Sequence, residues 1–88
     1  MSQNNRKNYY VIVKGVQKGV VDSWAECCSY TNGVPNKFHG FFTWREVQRY
    51  IISAMPETGG YLYAVEGDRQ CFDEYTEFIV YVMNRHSN

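Results

Sequence analysis

The stretch YYVIVKGVQKGVVDSWAEC, Tyr9 to Cys27, decides how this chain is read. Tyr9 to Lys14 is a run of aromatic and β-branched residues, which suit a pleated, half-buried surface, and it predicts a strand. Gly15 and Gly19 bracket a turn, and Val20 to Asp22 begins a return strand, so the two form a hairpin. Ser23 then opens S-W-A-E. Its hydroxyl can accept the N–H of Glu26 while the Glu26 carboxylate reaches back, a reciprocal arrangement that starts a helix. That helix is expected to run to about Tyr30, with Trp24, Cys27, Cys28 and Thr31 along one stripe.

Working outward, Thr31 to Lys37 (TNGVPNK) holds Asn, Gly and Pro in turn-forming positions and reads as a loop. Lys37 to Phe41 (KFHGF) is a short aromatic strand. Thr43 begins a second capping box, T-W-R-E, and Trp44, Val47, Tyr50, Ile51, Ala54 and Met55 recur at helical spacing. Pro56 cannot continue that helix, and Glu57 to Gly60 is a linker. The tail then repeats the opening pattern. With one gap, YLYAVEGDRQCFDEYTEF (Tyr61 to Phe78) lies on Tyr9 to Cys27, matching Gly67 to Gly15, Asp73 to Asp22, Tyr75 to Trp24 and Glu77 to Glu26. Two unrelated hairpins followed by helix starts match in the same way, so duplication and coincidence both stand. Either way the tail reads as strand, strand, helix. Tyr75, Phe78, Ile79, Val82 and Met83 share one helical face, although FIVYV is also β-prone.

The expected fold is α+β: a small antiparallel sheet with helices on one face, ββαβα, extended by a C-terminal hairpin and helix. It is one domain over residues 1–88, with a module at 8–54 and a ββα extension at 60–85 that is a candidate degenerate repeat. Tyr9, Val11 and Val13 are expected to face the helices, and Tyr10, Ile12 and Lys14 a partly open surface. Residues 1–7 are polar and expected to fray.

Composition narrows the function classes. At 88 residues there is no room for an enzyme domain beside this one, and 44% hydrophobic with 17% aromatic content is that of a folded globule. The net charge of zero hides a split: seven basic residues against three acidic ones through Ala54, then two against six from Met55 onward. Such asymmetry can orient the domain on a polyanion, or bring two copies together head to tail. Cys27, Cys28 and Cys71 leave an odd thiol however they pair and read as reduced. No apolar stretch approaches a membrane span, and MSQNNRKN lacks the apolar core of a signal peptide. The expectation is an intracellular protein, cytoplasmic or nuclear, with no membrane partner.

The first half resembles the hybrid-binding domain at the front of eukaryotic type 1 ribonucleases H, a module also found in caulimovirus viroplasmin. Tyr9 to Cys27, the Gly33-Val34-Pro35 loop, KFHGF and the TWREV helix start carry the likeness, over about residues 8–54. The resemblance implies a partner, RNA/DNA hybrid or double-stranded RNA, gripped across the minor groove without reading sequence. It implies that Trp24 and Phe38 pack on deoxyribose and that Tyr10 and Lys14 meet phosphates. It also implies that amides of the Thr31 to Lys37 loop, including Asn32 and Gly33, meet 2′-hydroxyls, with Lys18, Lys37 and His39 completing the nucleic-acid-binding set. An A-form duplex has a wide, shallow minor groove lined with 2′-hydroxyls, so shape alone separates RNA from DNA. The chain departs from the family at His39-Gly40, where a Lys is usual after the strand aromatic. Val16 and Gln17 dilute a turn that is often basic, and the loop before Lys37 is one residue short. Fewer phosphate contacts mean weaker binding with a shallower salt dependence.

Each residue also has a plainer reading. Trp24 can staple the hairpin to the core, Tyr10 and Phe38 can be sheet residues, and the lysines can be solvated surface. A self-assembly or protein-interaction module on the same fold, forming a homo-oligomer, is the alternative, favoured by the neutral net charge and acidic tail. Catalysis is not expected, and there are no catalytic residues to name: most acids lie in the tail, His39 and His86 have no metal-ligand spacing, and Cys27 and Cys28 lack a base. No metal, no cofactor and no small-molecule substrate are expected.

Overall fold

The computed structural model describes residues 7–85. Residues 1–6 and 86–88 lie outside the described residues, and with them the frayed start apart from Lys7 and the reading of His86. In chain order the elements are β1 (Tyr9–Lys14), β2 (Lys18–Val21), α1 (Trp24–Thr31), β3 (Lys37–Phe41), α2 (Trp44–Ala54), β4 (Tyr61–Val65), β5 (Asp68–Phe72) and α3 (Tyr75–Arg85). The α+β class stands, as do the ββαβα order and the terminal hairpin and helix. Among the described residues no helix is long and apolar enough to cross a membrane.

Five strands form one sheet in the order β3-β1-β2-β4-β5. The sheet is mixed, which corrects the antiparallel expectation: β1 pairs antiparallel with β2 and β3, and β4 with β5, but β2 and β4 run parallel. The reason lies in the connections. A strand followed by a helix and a returning strand yields parallel strands, so β2, β3 and β4 all point the same way. Placing β4 beside β2 then forces a parallel pair.

The same connections correct the expectation that the helices share one face. Such crossovers are right-handed. The path from β2 to β3 steps across β1 in one direction, whereas the path from β3 to β4 steps back across β1 and β2. Two right-handed crossovers in opposite directions must use opposite faces. Accordingly Cys27 of α1 packs with Tyr10, Ile12, Val21, Leu62 and Ala64. Val47 and Ile51 of α2 and Phe78 and Val82 of α3 pack with Val11, Val20, Tyr61, Tyr63 and Val65 on the other side. Covered on both faces and flanked by two strands, β4 is buried at all five positions. The Tyr10 and Ile12 side of β1, expected to be partly open, is likewise buried.

Local chemistry sets the ends of the helices. Thr43 and Glu46 form the expected reciprocal box, with the Glu46 N–H donating to Thr43 Oγ1 at 3.3 Å and the Thr43 N–H to Glu46 Oε1 at 3.2 Å. At Ser23 only half of the box exists: the Glu26 N–H reaches Ser23 Oγ at 3.0 Å, but the Glu26 carboxylate turns away to Arg69. Strand β2 starts at Lys18, so Gly19 lies inside the strand with φ +143. A Cβ there would overlap the Leu62 backbone, its nitrogen at 2.6 Å, and glycine is what lets β4 pair with β2.

Candidate nucleic-acid interface

Alternation along β1 and β3 turns Tyr10 and Phe38 to the α1 side of the sheet, and Trp24 in the first turn of α1 drops between them. Ring centroids stand 5.5 Å apart for Tyr10–Trp24 and 5.7 Å for Trp24–Phe38. Trp24 is 45% exposed, Phe38 is half-buried, and Tyr10 lies beneath them. Five other tyrosines, Tyr30, Tyr61, Tyr63, Tyr75 and Tyr81, engage their phenol oxygen with a protein group. The Tyr10 hydroxyl has no such partner among the described residues. Buried phenols ordinarily find one, so this hydroxyl is left for solvent or a ligand.

Lys14 and Lys37 meet as cross-strand partners beside a bulge in the β1–β3 pairing, both exposed. Like charges directly opposite one another repel. Among the described residues no carboxylate forms an ion pair with either. Next to them, the loop from Thr31 to Lys37 is shaped by Asn36, whose side-chain amide donates to the carbonyls of Thr31 and Val34, both at 3.0 Å. Gly33 has φ +79 with open space where a side chain would stand, and its amide has no acceptor among the described residues. The Asn32 amide, in contrast, closes α1 by donating to the Cys28 carbonyl at 2.8 Å.

Two expected members fall elsewhere. Alternation turns Lys18 to the α2 and α3 side, where its ammonium donates to the Thr58 carbonyl at 2.8 Å and to Thr58 Oγ1, 4.6 Å from the Tyr61 ring centroid. Partial burial holds its pKa below the usual lysine value. His39, paired with Val11, also faces that side and stacks on Tyr50 at 5.0 Å. The structure brings Tyr10, Trp24 and Phe38 together, places Lys14 and Lys37 at the adjoining ends of β1 and β3 next to the loop of Asn32 and Gly33, and leaves out Lys18 and His39. Sequence order alone misplaced them, because neighbours in a strand point to opposite faces.

The acidic tail does not cover the aromatic ridge. Since β4 and β5 add beyond β2, and α3 packs on the far face, the charge split along the sequence becomes a lateral split across the sheet. Arg69 pairs with Glu26 at 2.5 Å and bonds the Tyr30 hydroxyl at 2.6 Å, while Asp22 accepts the Glu66 N–H at 2.6 Å. These contacts sit on the β4–β5 side of α1, away from Trp24.

Among the described residues no group of three or more His, Cys, Asp or Glu gathers where it could hold a metal ion. Cys27 is fully buried, and that burial, together with the neighbouring Cys28, pushes its thiol up to about 11. A thiol so disposed is a packing group at neutral pH and not a nucleophile. The three cysteines are free.

Searches among curated proteins and among solved structures gave no match. A family model described as the ribonuclease H1 N-terminal domain matches residues 8–51, half of the chain, a span that runs from the start of β1 to the buried Ile51 of α2 and includes every member of the aromatic ridge. The family is that of an N-terminal accessory domain and not of the catalytic ribonuclease H domain. With that match over the strands, loop and helix that build the ridge, the chain belongs to the ribonuclease H1 N-terminal domain family.

Proposed function

We propose that this chain is a non-catalytic module that grips RNA/DNA hybrid or double-stranded RNA across the minor groove, without reading base sequence. The observation that carries the proposal is the ridge in which exposed Trp24 and half-buried Phe38 stand over Tyr10, with Lys14 and Lys37 at the adjoining ends of β1 and β3. Aromatic faces complement the apolar side of a sugar that lacks its 2′-hydroxyl, and the lysines neutralise phosphate with release of counterions. The free amide at Gly33 offers a donor to a 2′-hydroxyl on the neighbouring strand. Family membership supports the same reading.

Titration of labelled hybrid, RNA duplex and DNA duplex at low salt tests it. Hybrid and RNA duplex are expected to bind more tightly than DNA duplex, and Trp24→Ala to weaken hybrid binding by about tenfold or more, at ~1–3 kcal/mol per lost aromatic contact. Equal binding of all three, or none, would overturn the proposal.

A second reading, a protein-interaction or self-assembly module, is favoured by one observation on the opposite face: Ile52, Val80 and Met83 of α2 and α3 are exposed. Light scattering that shows a stable oligomer, together with no nucleic-acid signal, decides for it.

A further inference from the structure

Lys7, expected to fray with the N-terminal residues, lies on the ridge. The segment that carries it is fastened to the end of β3, with the Asn8 N–H donating to the Phe41 carbonyl at 3.0 Å and the Asn8 side-chain amide to the Phe42 carbonyl at 2.8 Å. Gly40 pairs across from Tyr10, and a Cβ built at Gly40 would come within 2.6 Å of Lys7 Cγ and 3.3 Å of the Tyr10 ring. The aliphatic stem of Lys7 therefore runs through the volume that a side chain at position 40 would fill, directly beside the Tyr10 ring. Its ammonium stands 4.3 Å from the centroid of Phe42, a ring that is itself exposed.

Among the described residues Lys7 has no ion-pair partner. The nearby Glu46 carboxylate is held by the Phe42 and Thr43 amides, both at 3.2 Å. The cation is thus held in place with no ion pair, although its charge still acts on Glu46 and helps hold that carboxyl below its ordinary value. Its position closes a pattern. Lys14 and Lys37 mark one end of the ridge, where β1 ends and β3 begins, and Lys7 marks the other, where β1 begins and β3 ends. Seven residues of extended chain separate Lys7 from Lys14, a span of at most ~23 Å. A ridge with cations at both ends fits a backbone that crosses it and meets phosphate on each side.

We propose that Lys7, seated over the bare Gly40 and against Phe42, is a phosphate-binding residue of this interface, supplying from the N-terminal flank the cation that strand β3 lacks at Gly40. The proposal rests on the duplex-binding reading above and adds to it a specific contact outside the family match, which starts at residue 8.

The test is the salt dependence of hybrid binding by the full chain. Lys7→Gln keeps most of the stem and removes the charge, and the slope of log K against log salt is expected to shrink by roughly 0.7–0.9, the share of one phosphate contact. Lys7→Arg is expected to keep the slope. Lys7→Ala/Gly40→Lys, which moves the cation into the strand, is expected to restore the slope that Lys7→Ala loses. An unchanged slope in Lys7→Gln, or a double variant that stays at the reduced slope, overturns the assignment of Lys7 while binding by the parent chain and its loss in Trp24→Ala keep the duplex reading intact. A parent chain that binds no duplex overturns both.

Discussion

The face of the sheet under α2 and α3 is sealed: Tyr61, Tyr63, Phe78, Val82, Val47 and Ile51 are fully buried, and the phenols of Tyr61 and Tyr63 are tied to Pro56, Thr58 and Arg85. The face under α1 is thinly roofed. A helix of eight residues contributes Cys27 and Thr31 to the interior and leaves Trp24 at the surface against Tyr10 and Phe38. The fold draws its stability from the first face and presents surface on the second. Aromatic rings on one face stack with each other inside the core; on the other face Trp24 is exposed and Phe38 half-buried, over a buried Tyr10. The C-terminal extension enlarges the sealed face with α3 and adds acidic charge on the side of the sheet away from the ridge.

Truncating one ring on each face separates the two by stability. Phe78 is fully buried, stacked 4.8 Å from Tyr61 and 5.9 Å from Phe72, and Phe78→Ala is expected to cost about 3–5 kcal/mol through lost burial and the cavity left behind. Trp24→Ala removes a half-open ring and is expected to cost about 1 kcal/mol or less. Urea unfolding of both variants measures the pair. Equal losses would show that Trp24 is a core staple and that the two faces do not differ in kind.

Much of this division was legible in the chain. The Thr43 box, the helical stripe from Trp44 to Met55 and the KFHGF strand emerge with the expected bounds, because capping chemistry and periodicity are local. The tail's strand, strand, helix order was also readable, since a hairpin and a helical stripe declare themselves over a few residues. The parallel β2–β4 pair and the two-sided placement of helices were not. Both follow from the handedness of crossovers, a property of three elements together that no single window contains. Of the candidate residues, Tyr10, Trp24 and Phe38 are grouped by the fold, whereas strand parity, invisible in a list of positions, turns Lys18 and His39 to the other face. Lys7 was hidden for a different reason: its signal is the missing side chain at Gly40, which acquires meaning only once β3 lies beside β1.

A second contrast is in the titration of the thinner face. Burial and the neighbouring Cys28 raise the Cys27 thiol to about 11 from an ordinary value of 9.0. Between those two pH values the unfolded chain releases this proton while the folded chain keeps it. The stability Cys27 lends is thus complete below pH 9 and is lost as pH rises toward 11, by at most about 2–3 kcal/mol at 1.36 kcal/mol per unit. Cys27→Val removes the ionisable group, so the parent's excess loss over that interval, measured by denaturant unfolding at each pH, is expected to vanish in the variant. Persistence of the full loss would assign it to the tyrosines of the sealed face instead.

The smallest contrast lies in how the two helices begin. Thr43 holds a complete box at the start of α2, so Thr43→Ala is expected to cost about 1–2 kcal/mol; Ser23 holds only the Glu26 amide, because the Glu26 carboxylate is committed to Arg69, and Ser23→Ala is expected to cost about 0.5–1 kcal/mol. Function is expected to order them the other way. α2 roofs the sealed face and meets the interface only at its Lys7 end, through Glu46, whereas Ser23 fixes the turn that presents Trp24. Ser23→Ala is therefore expected to lower hybrid affinity several-fold while Thr43→Ala leaves it within twofold. Titrations carried out well below each variant's unfolding midpoint read this directly. Equal affinities in the two variants would mean that the wedge of Trp24 between Tyr10 and Phe38 holds the ring in place without help from the helix start.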